Sequence, residues 1–100
     1  MNRFIIGTAI KIESLISIDT PDAVYITIKD ASDTDKVTEQ TMEKIADGVY
    51  RYVHQTQEII DIAGTWVARV YARVGNNIGV REERFEMIIE LEKDYGEGYY

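Results

Sequence analysis

The sequence predicts an all-β domain, and three observations carry that prediction. Apolar and polar residues alternate with a period of two over most of the chain, as expected of strands with one buried face. Glycine, asparagine, aspartate and the single proline separate the alternating runs. The chain has 100 residues, of which 45% are hydrophobic, and this length suits one domain with its own core rather than two.

The first strands are predicted in residues 4–18, where most even positions are isoleucine or phenylalanine. We expect this run to break near residues 13–15 into two short strands. A turn follows around Pro21, whose fixed φ and missing N–H suit a strand entrance. Residues 23–29 then form a strand rich in β-branched side chains, and residues 30–35 form a polar loop.

The middle of the chain is the hardest part to assign. The pattern of residues 36–46 is compatible with two structures, a short helix near 38–46 or a polar edge strand. Three apolar residues of this segment fit neither period cleanly: Val37, Met42 and Ile45. Residues 49–56 form the next strand, with Tyr50 and Tyr52 expected to point inward.

The clearest strand spans residues 65–74, where small or apolar residues occupy the even positions from Trp66 onward. Residues 75–79 tolerate positive φ and predict a hairpin. The returning strand has an inner set of apolar residues: Phe85, Met87, Ile89 and Leu91. Because residues 82–93 also fit helical spacing, an α+β domain is the alternative, and we favour the strand.

Opposite charges indicate a register for this hairpin, since they stabilise a cross-strand pair that like charges destabilise. On the outer face we expect the pairs Arg73 with Glu82, Arg69 with Glu86 and Tyr71 with Arg84. A slip of two residues places Arg69 opposite Arg84, which like-charge repulsion disfavours. The matching inner pairs are Val70 with Phe85, Ala68 with Met87 and Trp66 with Ile89.

Composition excludes several classes of protein. The net charge of −7 opposes nucleic-acid binding and anionic membrane surfaces, which both need a basic face. No apolar run is long enough for a membrane span, and we expect no signal peptide because Lys11 interrupts the N-terminal run early. The chain has no cysteine, so it holds no disulfide or thiolate metal site. We expect a single domain over residues 1–92 and a flexible acidic and aromatic tail over 93–100.

Residues that carry enzyme chemistry are scarce, and we expect neither an enzyme nor a cofactor or metal site. There is one histidine, His54, which we interpret as a surface or rim residue of a strand. Every acidic residue is predicted to lie in a turn, in the tail or on the polar side of a strand. Asp30, Asp33 and Asp35 lack calcium-loop spacing. Weak calcium binding remains a hypothesis only if Asp19 and Asp22 lie beside the loop of residues 30–35.

One group of basic and aromatic residues is a candidate partner-binding site. It consists of Arg69, Tyr71, Arg73 and Arg84, with Arg81 nearby. The functional interpretation is a patch that binds an acidic protein surface. The alternative, which we favour, is a ladder of cross-strand ion pairs that neutralises itself.

Three segments resemble small immunoglobulin-like β-sandwich domains of tailed-phage and prophage structural proteins and microbial surface repeats. They are DTPDAVYITIKD (residues 19–30), DGVYRY (47–52) and AGTWVARVYA (63–72). The resemblance implies an antiparallel sandwich of about seven strands, with the first segment as its second strand. The cysteine pair and central tryptophan of antibody-type domains are missing, and Trp66 stands where such domains often have tyrosine.

This resemblance implies a non-enzymatic virion component, such as a head-decoration, neck or tail protein. Its partners are then capsid or tail proteins or further copies of itself, and it resides in the virion or, before assembly, in the host cytoplasm. The alternative is a cell-surface adhesion or carbohydrate-contacting module of the same fold. A third class, a small enzyme or metal-binding regulator, requires His54 to be buried beside acidic side chains.

Overall fold

The computed structural model describes residues 2–17 and 20–89, and every regular element in them is a strand. The elements are β1 (Asn2–Ile5), β2 (Ala9–Leu15), β3 (Ala23–Lys29), β4 (Asp35–Thr41), β5 (Glu43–Ala46), β6 (Val49–Gln55), β7 (Gly64–Val74) and β8 (Asn77–Ile88). The all-β prediction is confirmed, with eight strands rather than about seven. Both helix alternatives, for residues 38–46 and for residues 82–88, are wrong. The predicted tail over 93–100 lies outside the described residues.

The strands form two sheets. One has five strands in the order β1-β8-β7-β3-β4, and the other has three in the order β2-β6-β5. Immunoglobulin-like sandwiches share the orders β8-β7-β3-β4 and β2-β6-β5, but β1 lies beside β8 here instead of joining the smaller sheet. The segment from residue 19 to 30 contains the third strand of the chain, not the second, because both β1 and β2 precede it.

The sandwich is not purely antiparallel, because β1 runs parallel to β8. After β1 the chain crosses to the other sheet at residues 6–8, so no hairpin forces β1 to run against its neighbour. Gly7, with φ of 101°, permits that crossing. The expected break near residues 13–15 is therefore wrong: the break lies at 6–8, and β2 continues to Leu15.

The core lies between the two sheets and is built from the apolar side of each alternating strand. Ile10 of β2, Ile26 of β3 and Trp66 of β7 are fully buried, and Phe85 of β8 is nearly so. The inward prediction for the tyrosines of β6 is confirmed, since Tyr50 is buried and Tyr52 packs against the core. Trp66 also donates its ring N–H to the carbonyl of Ile62 at 2.9 Å, which fixes the entrance to β7.

Residues 36–46 form two edge strands, and their irregular pairing explains why no period was visible. The β3–β4 ladder shifts register twice, and Glu39 has a φ of 45°. Each shift moves the following side chains to the other face. Val37 and Met42 are both buried, although neither strict alternation nor helical spacing connects them.

The predicted hairpin is confirmed, but its predicted register is wrong. The observed ladder pairs Val74 with Asn77, Arg69 with Glu82 and Trp66 with Phe85. A two-residue turn at residues 75–76, in which Gly75 has a φ of 59°, sets this register. Turn geometry thus overrides the proposed charge pairing, and the exposed Ile89 lies beyond the end of β8 instead of opposite Trp66.

Candidate functional site

The four residues of the predicted patch share one surface, the outer face of the five-stranded sheet. Three of them occupy odd positions of β7, whose side chains point away from the buried even positions: Arg69, Tyr71 and Arg73. Arg84 extends from the same side of β8. The three arginines are exposed and Tyr71 is half-buried. We call these four residues the arginine face.

Glu82 neutralises part of the arginine face. Its carboxylate accepts hydrogen bonds from Arg69 Nε at 3.0 Å and from Arg84 Nη2 at 3.3 Å. The side chains of Arg69 and Arg84 are at least half exposed, so solvent screens both pairs and they add little stability. A charge ladder is therefore present, but it places Glu82 opposite Arg69 rather than opposite Arg73.

Arg73 is the unneutralised member of the arginine face. Among the described residues, no carboxylate oxygen lies within 4.0 Å of its guanidinium, and its contact with the Gly75 carbonyl is long, at 3.4 Å. The nearby carboxylate of Asp22 accepts the Gly75 backbone N–H at 2.7 Å instead. Arg73 thus presents a positive charge to solvent on an acidic molecule.

An aromatic pair lies beside these charges. The rings of Tyr25 and Tyr71 stack with centroids 5.0 Å apart and an interplanar angle of 11°. A shallow groove of about 300 Å³ runs along this face between Tyr71 and Lys29. Lys29 is neutralised by Asp35 at 3.0 Å, and the hydrogen bond between them raises the pKa of Lys29. The outer face of the five-stranded sheet therefore combines stacked aromatic rings with charged side chains, only some of which form ion pairs.

A buried polar cluster at one end of the sandwich was not predicted. The side chains of Asp30 and Asp61 are only 5% and 3% exposed, and Lys36 Nζ lies 3.9 Å from Asp30 and 3.0 Å from Asp61. Both residues lie in loops between strands, as expected of the acidic residues, but their side chains are buried there. The one sequence signal was the position of Asp61 within a run of isoleucines, between Ile60 and Ile62.

Hydrogen bonds explain why these carboxylates are buried. Asp30 accepts the backbone N–H groups of Ser32 and Thr34 at 2.9 and 3.0 Å, and Asp61 accepts that of Gln57 at 2.7 Å. Burial alone would raise the pKa of Asp30, but these hydrogen bonds and Lys36 outweigh burial and lower the pKa. Both carboxylates therefore serve to shape loops.

His54 lies near this cluster and is half-buried. Burial lowers its pKa, while the charge of Asp61 partly opposes that effect. Its Nε2 is buried and has no hydrogen-bond partner among the described residues. No group of three His, Cys, Asp or Glu side chains in the described ranges could hold a metal ion. Asp22 and Asp30 lie at opposite ends of the seven-residue β3, about 25 Å apart, so they do not share a calcium loop.

The same end of the molecule has a cavity of about 210 Å³ lined by Ile5, Ile6, Gly7, Thr8, Glu58, Asp61 and Ile89. Next to it the loop before β7 exposes Ile59 almost completely, at 95%. No residue of this surface was predicted as a site. Its described lining combines apolar area with two carboxylates, and one of these, Asp61, pairs with Lys36.

No helix in residues 2–17 and 20–89 is long and apolar enough to cross a membrane. Compared with known proteins, the chain matches no protein-family model and no curated protein.

Proposed function

We propose that this protein is a non-enzymatic structural or accessory component of a phage or prophage virion that acts through protein–protein contacts. The proposal is supported by the resemblance of three segments to virion immunoglobulin-like domains and by the two-sheet fold. The observation that carries it is the arginine face, on which Arg73 is exposed without a carboxylate partner among the described residues. An acidic patch of a capsid or tail protein is the complementary surface.

The test uses the double variant Arg69→Ser with Arg73→Ser. The immobilised protein is incubated with purified capsid and tail proteins encoded in the same genome, and the captured protein is quantified at two salt concentrations. We expect the wild type to capture a partner with a salt-sensitive affinity, because exposed charge pairs are screened by salt. The double variant should lose that capture while its melting temperature stays nearly unchanged, since exposed ion pairs add little stability.

The matched control removes two positive charges from the other sheet, at Lys44 and Arg51. Both residues form exposed or half-exposed ion pairs there, so net charge changes equally in the two double variants. Capture that survives in the control and fails in the arginine variant supports the proposal. Equal loss in both variants, or no capture by the wild type, contradicts it.

A carbohydrate-contacting cell-surface module is the second candidate, and the stacked Tyr25–Tyr71 pair favours it. Sugar rings pack their apolar faces on aromatic rings of this kind. Binding to a glycan array that is lost in Tyr71→Ala would establish this second function. Absence of glycan binding together with capsid or tail capture would reject it.

A further inference from the structure

One edge of the five-stranded sheet is only partly covered. Strand β8 pairs with β7 from Asn77 to Met87, but β1 covers only residues 85–88 of its other edge. Residues 77–84 therefore have no neighbouring strand on that side within the described part of the chain. All eight are exposed on both faces, which leaves their outward backbone groups available for pairing.

The two-residue turn determines which backbone groups are available. Val74 and Asn77 flank the turn, so they form a hydrogen-bonded pair, and alternate residues of β8 bond to β7 from there on. Odd-numbered residues thus direct their N–H and C=O groups to β7. Even-numbered residues direct theirs to the open edge, and the positions concerned are Ile78, Val80, Glu82 and Arg84.

This edge lacks the features that protect two other edges of the molecule, those of β4 and β5. Strand β4 has two register shifts and a positive φ at Glu39, and β5 has four residues and one register shift. Bulges and short length are two common ways of preventing strand addition. Strand β8 pairs with β7 without any register shift, so its open edge is regular.

We propose that the open edge of β8 pairs antiparallel with the same edge of a second copy of this chain, about a two-fold axis through Val80. Val80 then faces Val80 of the second copy, and Ile78 faces Glu82 in both directions. The two five-stranded sheets become one continuous sheet. This inference goes beyond the proposed function, because it concerns a different surface and a different partner from the acidic partner of the arginine face.

Charge disfavours an axis closer to the C-terminal end of the open edge, and an axis closer to the turn shortens the new ladder. An axis through Arg81 sets Arg81 opposite itself, and an axis through Glu82 sets Glu82 opposite itself. Each arrangement places like charges directly across the new ladder, which is destabilising. With the axis at Val80, Gly79 faces Arg81 and Asn77 faces Glu83, so no like charges are directly opposed.

Apolar continuity supports the same axis. The observed registers place Tyr25 beside Tyr71, and Tyr71 beside Val80. Pairing at Val80 extends this row across the interface into Val80, Tyr71 and Tyr25 of the second copy. Ile78 becomes a diagonal neighbour of Val80 from the second copy, within reach of a side-chain contact. The exposed valine and isoleucine, 58% and 54% accessible, are thus covered by the pairing.

The first measurement is the solution mass by light scattering over a concentration series, for the whole chain and two variants. Val80→Lys places two like charges face to face at the axis, and we expect it to be a monomer. Val53→Lys is the matched control, because Val53 lies on β6 of the other sheet and is similarly exposed, at 52%. A dimer in the wild type and in Val53→Lys supports the proposal, and a monomeric wild type overturns it.

Cysteine cross-linking tests the axis itself, and it is unambiguous because the chain contains no cysteine. Hydrogen-bonded pairs hold their Cα atoms about 5.5 Å apart, which lies within disulfide range. We expect Val80→Cys to form a disulfide-linked dimer under mild oxidation. Ile78→Cys should not, because its two copies lie four residues apart along the ladder, about 13 Å. Faster cross-linking of Ile78→Cys or Arg81→Cys than of Val80→Cys would overturn the proposed axis.

Discussion

At the scale of single residues, the buried polar side chains are the part of the molecule that sequence patterning missed. Backbone N–H groups bind the carboxylates of Asp30 and Asp61 in the interior. Asp61 Oδ1 has no hydrogen-bond partner among the described residues, but it lies 3.0 Å from the ammonium group of Lys36. Sequence alone shows neither these loop hydrogen bonds nor the ion pair, since both depend on contacts between distant segments. The exposed Arg73, in contrast, follows directly from the alternation of β7, which made the arginine face predictable.

The histidine gives a prediction about pH at this scale. Burial lowers the pKa of His54, so the unfolded chain binds a proton more readily than the folded one. Stability that is fully present above the ordinary pKa of about 6.5 is therefore lost as the pH falls through the folded value. Urea unfolding at pH 7.5 and pH 5.5 should show a larger loss in the wild type than in His54→Gln. Equal losses of unfolding free energy in the two proteins would contradict a lowered pKa of His54 in the folded state.

At the scale of elements, strand existence was more predictable than strand pairing. Alternation located β3, β6, β7 and the described part of the returning strand, because each has one face toward the core. Register and boundaries depended on local backbone geometry: the turn at Gly75, the crossing at Gly7 and the bulges of β4. A charge pattern worth about 0.2–1 kcal/mol per pair could not override such a turn.

Gly64 at the start of β7 gives a prediction about how two elements fit together. Its φ is 131°, and an added Cβ would lie 2.7 Å from the Cβ of Ala31 in the β3–β4 loop. We expect Gly64→Ala to lower the free energy of unfolding by about 1–3 kcal/mol, as overpacking and strain do. Ala31→Gly in the same chain should restore part of that loss, as measured by urea unfolding of the double-mutant cycle. Strict additivity of the two substitutions would show that the loops do not meet there.

At the scale of the whole molecule, the two ends of the described chain are joined by the parallel pairing of β1 with β8. Ile6 donates its backbone N–H to the carbonyl of Ile88 at 2.9 Å, and the rings of Phe4 and Phe85 meet edge to face at 5.3 Å. The sequence could not reveal this contact. The alternation of apolar and polar residues shows which face of a strand is buried, but it does not show which strand lies beside it. The last residues of β8 therefore close the core, while its first eight extend past β1.

Because the last residues of β8 close the core, we can predict how far the chain can be shortened from its C-terminal end. The sequence predicts that the domain ends at residue 92, so a chain ending there should unfold with a free energy within about 0.5 kcal/mol of the full chain. A chain ending at Arg84 loses Phe85, Met87 and the partner of β1, and it should fail to fold cooperatively in thermal and urea unfolding followed by Trp66 fluorescence. Each buried large side chain removed costs about 2–5 kcal/mol, and two such losses approach the total stability of a domain this size. A marked loss of stability on ending the chain at residue 92 would instead place the boundary of the domain beyond that residue.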